Sequence, residues 1–394
     1  GLLTIAPSGL FANKETPVKT YNVGILGFGF IGKVHAHGYL NLPLFYDPVP
    51  LRAKITHVVT GHEETAERGR RAVDARVATT DYRTVTENPD IDIVHICTPN
   101  HLHKGALLSA MRHQKHIYCD KPLTATIDEA HEIRAALNDY RATAQMTFQY
   151  RFYPATLRAK QLIDEGLLGE ILGFRGCFLH GGSADPAAPL KWKLSAEAGG
   201  GVIGDLASHV LDLIDHLIGP FESITAATKI AYPERPSPTD PTKRLKVDTE
   251  DCVTALARMK SGALGTIEAT KLATGAEDEH RLEIHGARGA LRFNGMDPHH
   301  LEYHDATATD RPLGGMRGFT RIATGQRYEP PANGFPSPKA AFGWIRTHTA
   351  CLANFLEAVA EARPAEPGLE QGIRIQHLMD CTARSAAERC WVQV

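Results

Sequence analysis

Six residues near the start of the chain constrain its fold more than any other stretch. Tyr21 to Leu26 is a short β-branched and apolar run that ends in Gly27-Phe28-Gly29-Phe30-Ile31-Gly32, and a helical segment follows through about Asn41. Strand, glycine turn and helix in this order form the dinucleotide fingerprint. Its first glycine makes the tight turn, its second lets a pyrophosphate approach, and its third allows the helix to pack closely on the strand, with the helix N-terminus facing the phosphates. A lone G-x-G-x-x-G says little, but a strand before it and a helix after it supply the context that the motif needs. Gly27 through Gly32, with Phe28, Phe30 and Ile31 between the glycines, are therefore the expected cofactor loop.

The same alternation continues for about 130 residues. A second strand, Lys54 to Thr60, should end on an acidic residue that holds the adenosine ribose, yet it ends on Gly61-His62. His62 is placed to stack on adenine or to offset a phosphate, while Glu63 and Glu64 stand just beyond it, so the choice between NAD and NADP stays open. A short helix near Asp81 to Glu87 leads into Ile91 to Cys97, a near-continuous apolar run of the kind buried in parallel sheets. The turn Thr98-Pro99-Asn100-His101 follows. Ligands in open α/β sheets collect beyond the carboxyl ends of strands, so this turn is expected to line the nicotinamide side of the cleft. A helix over Leu102 to His113 and a strand over His116 to Cys119 end in Asp120-Lys121-Pro122, with the lysine at a strand's carboxyl end. Thr126 and Glu129 make a capping box for the next helix, and Ala142 to Phe148 is the last strand of this sheet. The fold class is α/β, with an N-terminal arm over 1–20 and a doubly wound Rossmann domain with a parallel sheet over 21–149.

Beyond Tyr150 the pattern changes. After a helix near Ala155 to Glu165, strand-like runs occur at Ile171 to His180, Glu222 to Ile230, Asp251 to Met259, Ala263 to Lys271, Arg281 to His285 and Ala290 to Phe293. Several are joined by short glycine turns, which predicts a C-terminal α+β domain over 150–394 with a large open antiparallel sheet. Two stretches, Pro233 to Thr249 and Ala306 to Pro338, read as long functional or interfacial loops, and helices over about Ala340 to Ala360 and Leu369 to Cys390 close the chain.

Within this second half, a glycine run (Gly199-Gly200-Gly201) opens a helix with two stripes. Leu206, Val210, Leu213 and Leu217 make an apolar face, and Asp205, His209, Asp212 and His216 repeat at helical spacing beside it. The glycines are expected to let backbone approach a ligand. Asp205 and His209 form a pair in which a carboxylate fixes an imidazole as a general base requires.

Composition limits the partners. At 394 residues the chain needs two domains, and a net charge of −2 gives no electrostatic reason to bind nucleic acid or an anionic membrane. The seven cysteines have no C-x-x-C spacing and read as reduced core thiols, which places the protein in the cytoplasm and predicts neither a disulfide frame nor a metal site. No apolar run reaches transmembrane length. The chain opens on Gly rather than Met, so a removed leader stays open.

The fingerprint, Asp120-Lys121-Pro122 and the helix from Gly199 to His209, in that order, resemble the Gfo/Idh/MocA family from Tyr21 to the C-terminus. Its Glu-Lys-Pro motif is matched here with a shorter carboxylate at Asp120, its Asp-x-x-x-His motif by Asp205 and His209, and its Asn/Gln-x-Arg-Phe turn by Gln149-Tyr150-Arg151-Phe152. Ser183-Ala184-Asp185-Pro186 and Leu190-Lys191-Trp192 resemble the branch of levoglucosan dehydrogenases and C-glycoside 3-dehydrogenases. The resemblance implies an NAD-dependent oxidoreductase acting on a ring hydroxyl of a pyranoside, glycoside or anhydrosugar, at C3. It implies catalytic roles for Lys121, Asp205 and His209, with Asp205 orienting the lysine or the histidine, and cofactor contacts from Asp120, Lys121 and Gln149. Arg151, His180, Asp185 and Trp192 are the remaining expected substrate contacts, Trp192 offering an apolar face to a sugar ring. Alternatives are an inositol dehydrogenase, a glycosidase working through transient oxidation, a metal enzyme using Asp205, His209 and His180, and a dinucleotide sensor. A homodimer or homotetramer built through the second domain's open sheet is expected.

Overall fold

The computed structural model describes residues 19–394 apart from 313 and 316, so the expected arm over 1–20 lies almost wholly outside the described residues. In the first half, strands β1 (Tyr21–Leu26), β2 (Ala53–Val59), β3 (Val77–Thr79), β4 (Ile93–Ile96), β5 (His116–Cys119) and β6 (Ala144–Met146) form a parallel sheet in the order β3-β2-β1-β4-β5-β6. Helices α1 (Phe30–Phe45), α2 (Glu63–Ala72), α3 (Arg83–Thr86), α4 (His103–Arg112) and α5 (Ile127–Ala136) make the crossovers. This is the doubly wound order, with its switch point between β1 and β4, where the glycine turn and the Thr98 turn face each other. Alternate strand residues serve two cores. Val23, Ile25, Ile55 and Ile93 pack on one side, whereas Leu26, Val59, Val94 and Ile96 pack on the other. Both faces are covered, which is why these strands read as unbroken apolar runs.

The second half begins with α6 (Pro154–Asp164) and β7 (Ile171–Leu179), then a π-helical turn over Ile203–Ala207 that leads into α7 (Ser208–Ile218). Strand β8 (Phe221–Lys229) and a short ribbon, β9 (Glu234–Pro236) with β10 (Arg244–Lys246), precede β11 (Cys252–Met259), β12 (Leu264–Thr270), β13 (Glu279–Gly286), β14 (Gly289–Asn294), β15 (His300–Asp305) and β16 (Thr320–Ala323). The chain closes with α8 (Trp344–Ala360), α9 (Leu369–Glu388) and β17 (Val392–Gln393). The large sheet runs β16-β15-β14-β13-β7-β12-β11-β8-β17. It is antiparallel at every neighbouring pair except β7 with β12, which lie parallel, so the sheet is mixed rather than purely antiparallel. A parallel pair needs a crossover, and the long excursion from β7 through α7 and β8 to β12 provides it.

Three stretches differ from their expected places, and the first is Pro233 to Thr249, expected as a loop, which holds the β9–β10 ribbon. Helix α8 packs on the first sheet, where Ala350, Leu352, Phe355 and Leu356 share a core with Val23, Ile25 and Tyr39. A Cβ on Gly38 would come within 2.8 Å of Leu352 Cδ2, so that glycine sets how closely α1 and α8 approach. The stretch from Ala306 to Pro338, expected as a loop, contains β16 and sends Tyr328 and Ala332 into the same core. No helix among the described residues is long and apolar enough to cross a membrane.

Candidate active site

The glycine turn has the geometry that its fingerprint requires. Gly27 sits at φ +89°, and a Cβ there would lie 2.4 Å from the Cys97 carbonyl, so both the left-handed turn and the approach to β4 need glycine. A Cβ on Gly32 would lie 2.1 Å from the Gly27 carbonyl oxygen, which locks α1 onto the turn. Gly29 is different: nothing stands within 4 Å of its added Cβ. Gly29 is also the N-cap of α1, with no side-chain cap and no acidic residue in the first turn, so the amides there are left for an anion. Thr98 Oγ1 and Gln149 Oε1 are buried without a protein partner beyond the ends of β4 and β6. These features fit a dinucleotide. Phe28 lies against the Gly69 turn of α2, and Phe30 is exposed and stacked on Trp344 at 5.7 Å. His62 is the N-cap of α2, and beside it a cavity of about 330 Å³ is lined by Glu63, Glu67, Ala78, Thr79 and Thr80.

The second glycine run works differently from expectation. Added Cβ atoms on Gly199, Gly200 and Gly201 would meet Asn100 and Ala125, the Lys193 carbonyl, and the Glu250 carboxylate within 3 Å. The run is therefore packed against protein, and Gly199, against Asn100 and Ala125, docks the two halves of the molecule. Asn100 Nδ2 donates to the Gly199 carbonyl at 2.6 Å and His101 lies 3.4 Å from the Ala198 carbonyl, so these two residues hold the glycine run as well as flanking the cleft. Glu250 accepts from the Ile203 amide at 2.9 Å and anchors the start of the π-helical turn that carries Asp205.

At that turn the chain concentrates charge. Lys121 Nζ donates to the Asp205 carbonyl at 2.5 Å and stands 3.4 Å from its Oδ1, while Lys193 donates to Oδ1 at 2.8 Å and Lys271 Nζ lies 3.0 Å from Oδ2. Burial alone would raise this carboxyl, but Lys121, Lys271 and Lys193 together hold it well below the usual carboxylate range. The Lys121 ammonium is lowered by burial, with Lys193 adding to the effect and Asp205 opposing it. The amine is thus easier to deprotonate than a surface lysine.

His209 faces this cluster from an aromatic wall. Its ring centroid lies 5.1 Å from that of Tyr150, 5.9 Å from Phe178 and 6.5 Å from Phe148. Burial first, and the Lys121 charge second, push the imidazole well below its ordinary value, so it is neutral at neutral pH. Its Nδ1 is buried without a partner. The expected Asp205–His209 hydrogen bond is not formed, because the carboxylate is taken by lysines. Asp205 therefore orients Lys121 and not the imidazole.

Asp212 of the polar stripe has a structural partner. Asp212 binds Arg151 in a two-pronged pair at 2.7 and 2.6 Å, both residues being buried, so the guanidinium expected to meet substrate is held by α7 instead. Asp185 is also displaced from its expected role: it is exposed, and its Oδ1 accepts from the Ala187 amide at 2.8 Å within its own turn. His180 accepts from the Gly182 amide at 2.8 Å and lies near Asp278. Trp192 is exposed beside Lys193, whose ammonium is 5.9 Å from its ring centroid, at the rim of the cluster. Asp120 is half-buried, and loss of solvent raises its carboxyl pKa.

Three residues of the cluster escape sequence reasoning: Lys193, Lys271 and Asp278. Lys271 follows β12 directly, so the rule that singled out Lys121, a charged residue at a strand's carboxyl end, applies to it equally. Asp278 has its carboxyl raised by burial and is within electrostatic range of His180 and Lys121.

A parallel Rossmann sheet, a dinucleotide turn and a lysine–carboxylate–imidazole cluster across the cleft define an oxidoreductase. Residues 21–148 match the oxidoreductase family with an NAD-binding Rossmann fold, and residues 156–292 match the GFO/IDH/MocA C-terminal domain. The chain belongs to the Gfo/Idh/MocA family and is an NAD-dependent oxidoreductase. It is 34% identical to levoglucosan dehydrogenase of Pseudarthrobacter phenanthrenivorans, over 96% of this chain and 99% of that protein. It is 26% identical to inositol 2-dehydrogenase of Rhizobium meliloti, over 95% and 99%. Among solved structures, levoglucosan dehydrogenase in complex with NADH and levoglucosan matches with a TM-score of 0.90 at 34% identity, covering 95% of this chain and 99% of that one.

Proposed function

We propose that the protein oxidises a ring hydroxyl of a pyranoside, glycoside or anhydrosugar, at C3. The observation that carries this reading is a neutral, buried His209 beside a Lys121 whose orientation is fixed by Asp205. Bound NAD supplies the hydride acceptor. Lys121 binds the reacting hydroxyl oxygen and stabilises the negative charge that grows on it, as a preorganised cation in a water-poor site does most effectively. His209 takes the hydroxyl proton. With Nδ1 buried, Nε2 is the nitrogen left to accept it, which requires the tautomer protonated at Nδ1. Lys193 shares Oδ1 of Asp205 with Lys121 and Lys271 holds Oδ2, while the exposed Trp192 ring offers an apolar surface to a sugar. Asp278 and His180, close to one another and to Lys121, offer further hydrogen-bonding groups to the substrate. Glu63, beside the end of β2, disfavours a 2′-phosphate and supports NAD over NADP, whereas Glu67 is already paired with Arg70 and Arg71.

The test is a panel of pyranosides, anhydrosugars and inositols offered with NAD and with NADP, followed by reduced-cofactor absorbance and product mass. The expected product has lost two hydrogens, keeps any aglycone and bears its ketone at C3. Released aglycone without a ketone favours the glycosidase reading, and turnover of inositols alone favours the inositol dehydrogenase. A tenfold preference for NADP, about 1.4 kcal/mol, contradicts the cofactor assignment.

A further inference from the structure

Beneath the glycine turn, the first domain brings together two buried imidazoles and a half-buried thiol, groups that metal ions favour. His35 lies on α1, His95 on β4 and Cys97 immediately after β4, and none of them contributes to the cofactor or substrate groups described above. His35 Nδ1 is 3.1 Å from His95 Nδ1 and 3.1 Å from Cys97 Sγ, and the three donor atoms lie within 4.8 Å of one another. Both histidines are at most 2% exposed. The interiors of such sheets are normally filled by aliphatic side chains, so imidazoles meeting a thiol at this depth call for a reason.

We propose that His35, His95 and Cys97 converge to bind a divalent metal ion of the zinc class. Zinc–nitrogen bonds of about 2.05 Å and a zinc–sulfur bond of about 2.3 Å at tetrahedral angles place nitrogens about 3.3 Å apart and nitrogen from sulfur about 3.6 Å. The observed 3.1 Å contacts are a few tenths of an ångström shorter, a shift that small side-chain rotations provide.

The surroundings supply a second argument. His95 Nε2 lies 2.7 Å from the Tyr39 hydroxyl, so an ion at Nδ1 leaves Nε2–H donating to Tyr39, the outer hydrogen bond that orients metal-binding histidines. Without an ion, one short contact between the two Nδ1 atoms must carry a single hydrogen. A further imidazole, His348 of α8, stands with its centroid 6.3 Å from that of His35 and has both ring nitrogens buried without partners. On binding, the Cys97 thiol proton passes to solvent buffer as the sulfur–metal bond forms. No electrons are transferred, and the site keeps a net charge of +1 from the dication and one thiolate. The ion would tie α1 to the end of β4, directly before the Thr98 turn that lines the cofactor cleft.

The experiment uses untagged full-length protein, stripped with chelator and titrated with cobalt(II) and then with zinc. The expected result is one cobalt per chain with a thiolate-to-cobalt charge-transfer band, bleached by zinc, and a thermal midpoint that rises with added zinc. Cys97→Ser should remove the band and Cys390→Ser, at an exposed thiol, should keep it. Tyr39→Phe should weaken binding by about tenfold to a hundredfold, the usual cost of losing an outer hydrogen bond, while preserving the fold. Wild-type protein that takes up no cobalt, or a band that persists in Cys97→Ser, overturns the proposal and makes the three residues a hydrogen-bonded core cluster. Because metal content and spectrum are read without substrate, the outcome is independent of the sugar-oxidation reading.

Discussion

His209 is placed to accept a proton because burial has already removed the one that it would otherwise carry. Desolvation disfavours the imidazolium, and the nearby Lys121 charge disfavours it further, whereas the Asp205 charge opposes both and does not prevail. If the neutral imidazole is the working form, the acid limb of kcat/KM contributed by this residue lies below pH 6.5, the ordinary histidine value, and activity persists in mildly acidic buffer. An acid limb centred at or above 6.5 would show that the imidazole is solvated in the working enzyme. Single residues were legible in the sequence where they sat in one motif: Lys121, Asp205 and His209 were each singled out, and the structure gathers them in one cluster. Partners were less legible. Asp205 and His209 are neighbours in helical spacing, yet the carboxylate meets Lys193 and Lys271, which arrive from other segments and leave no mark on the local pattern.

Among the elements, the glycine turn gives the sharpest contrast between neighbouring positions. Space is open around Gly29, so Gly29→Val should fold with a nearly unchanged thermal midpoint and lose NADH binding, because its side chain takes the pyrophosphate's approach. Gly27→Ala meets a backbone carbonyl at 2.4 Å and must also adopt φ +89°, so it should destabilise the domain itself. Calorimetry for the first and thermal melts for both separate the two effects, and undiminished NADH affinity in Gly29→Val would contradict the turn's assignment. Five of the six parallel strands were readable as apolar runs, whereas β3, three half-buried residues, was not. Helix α2 was not singled out, since its exposed, highly charged sequence buries little beyond Ala66 and Gly69 and carries no apolar stripe. The parallel pairing of β7 with β12 was likewise invisible, because register between strands so distant is set by the crossover and not by either strand's own residues.

For the molecule as a whole, buried histidines couple folding to pH. Burial lowers His35 and His280 to about 3 and holds His95, His209 and His348 well below the ordinary 6.5. Between those values the unfolded chain binds more protons than the folded one, so their contribution to stability is complete above pH 6.5 and is lost as pH falls towards 3. Carboxylates held low, such as Asp205, add to the loss only below about pH 4, so the urea midpoint should already drop between about pH 7 and about pH 5. A midpoint that is flat over that interval would contradict the burial of these imidazoles. The large sheet also leaves one face open, with Leu172, Leu256 and Leu264 exposed on β7, β11 and β12. We expect that face to be covered by another copy of the chain. Light scattering should give a dimer or tetramer, with Leu256→Glu reducing the mass, and a wild-type monomer at working concentration would contradict it.

The central claim is that Lys121 and His209 act together on a ring hydroxyl. The most direct measurement is turnover of the best pyranoside substrate by His209→Ala and Lys121→Ala beside each variant's NADH dissociation constant. The account predicts turnover lower by about two to four orders of magnitude in each variant, with NADH affinity little changed. Normal turnover in both variants would contradict it and leave the cluster around Asp205 a structural ion-pair network.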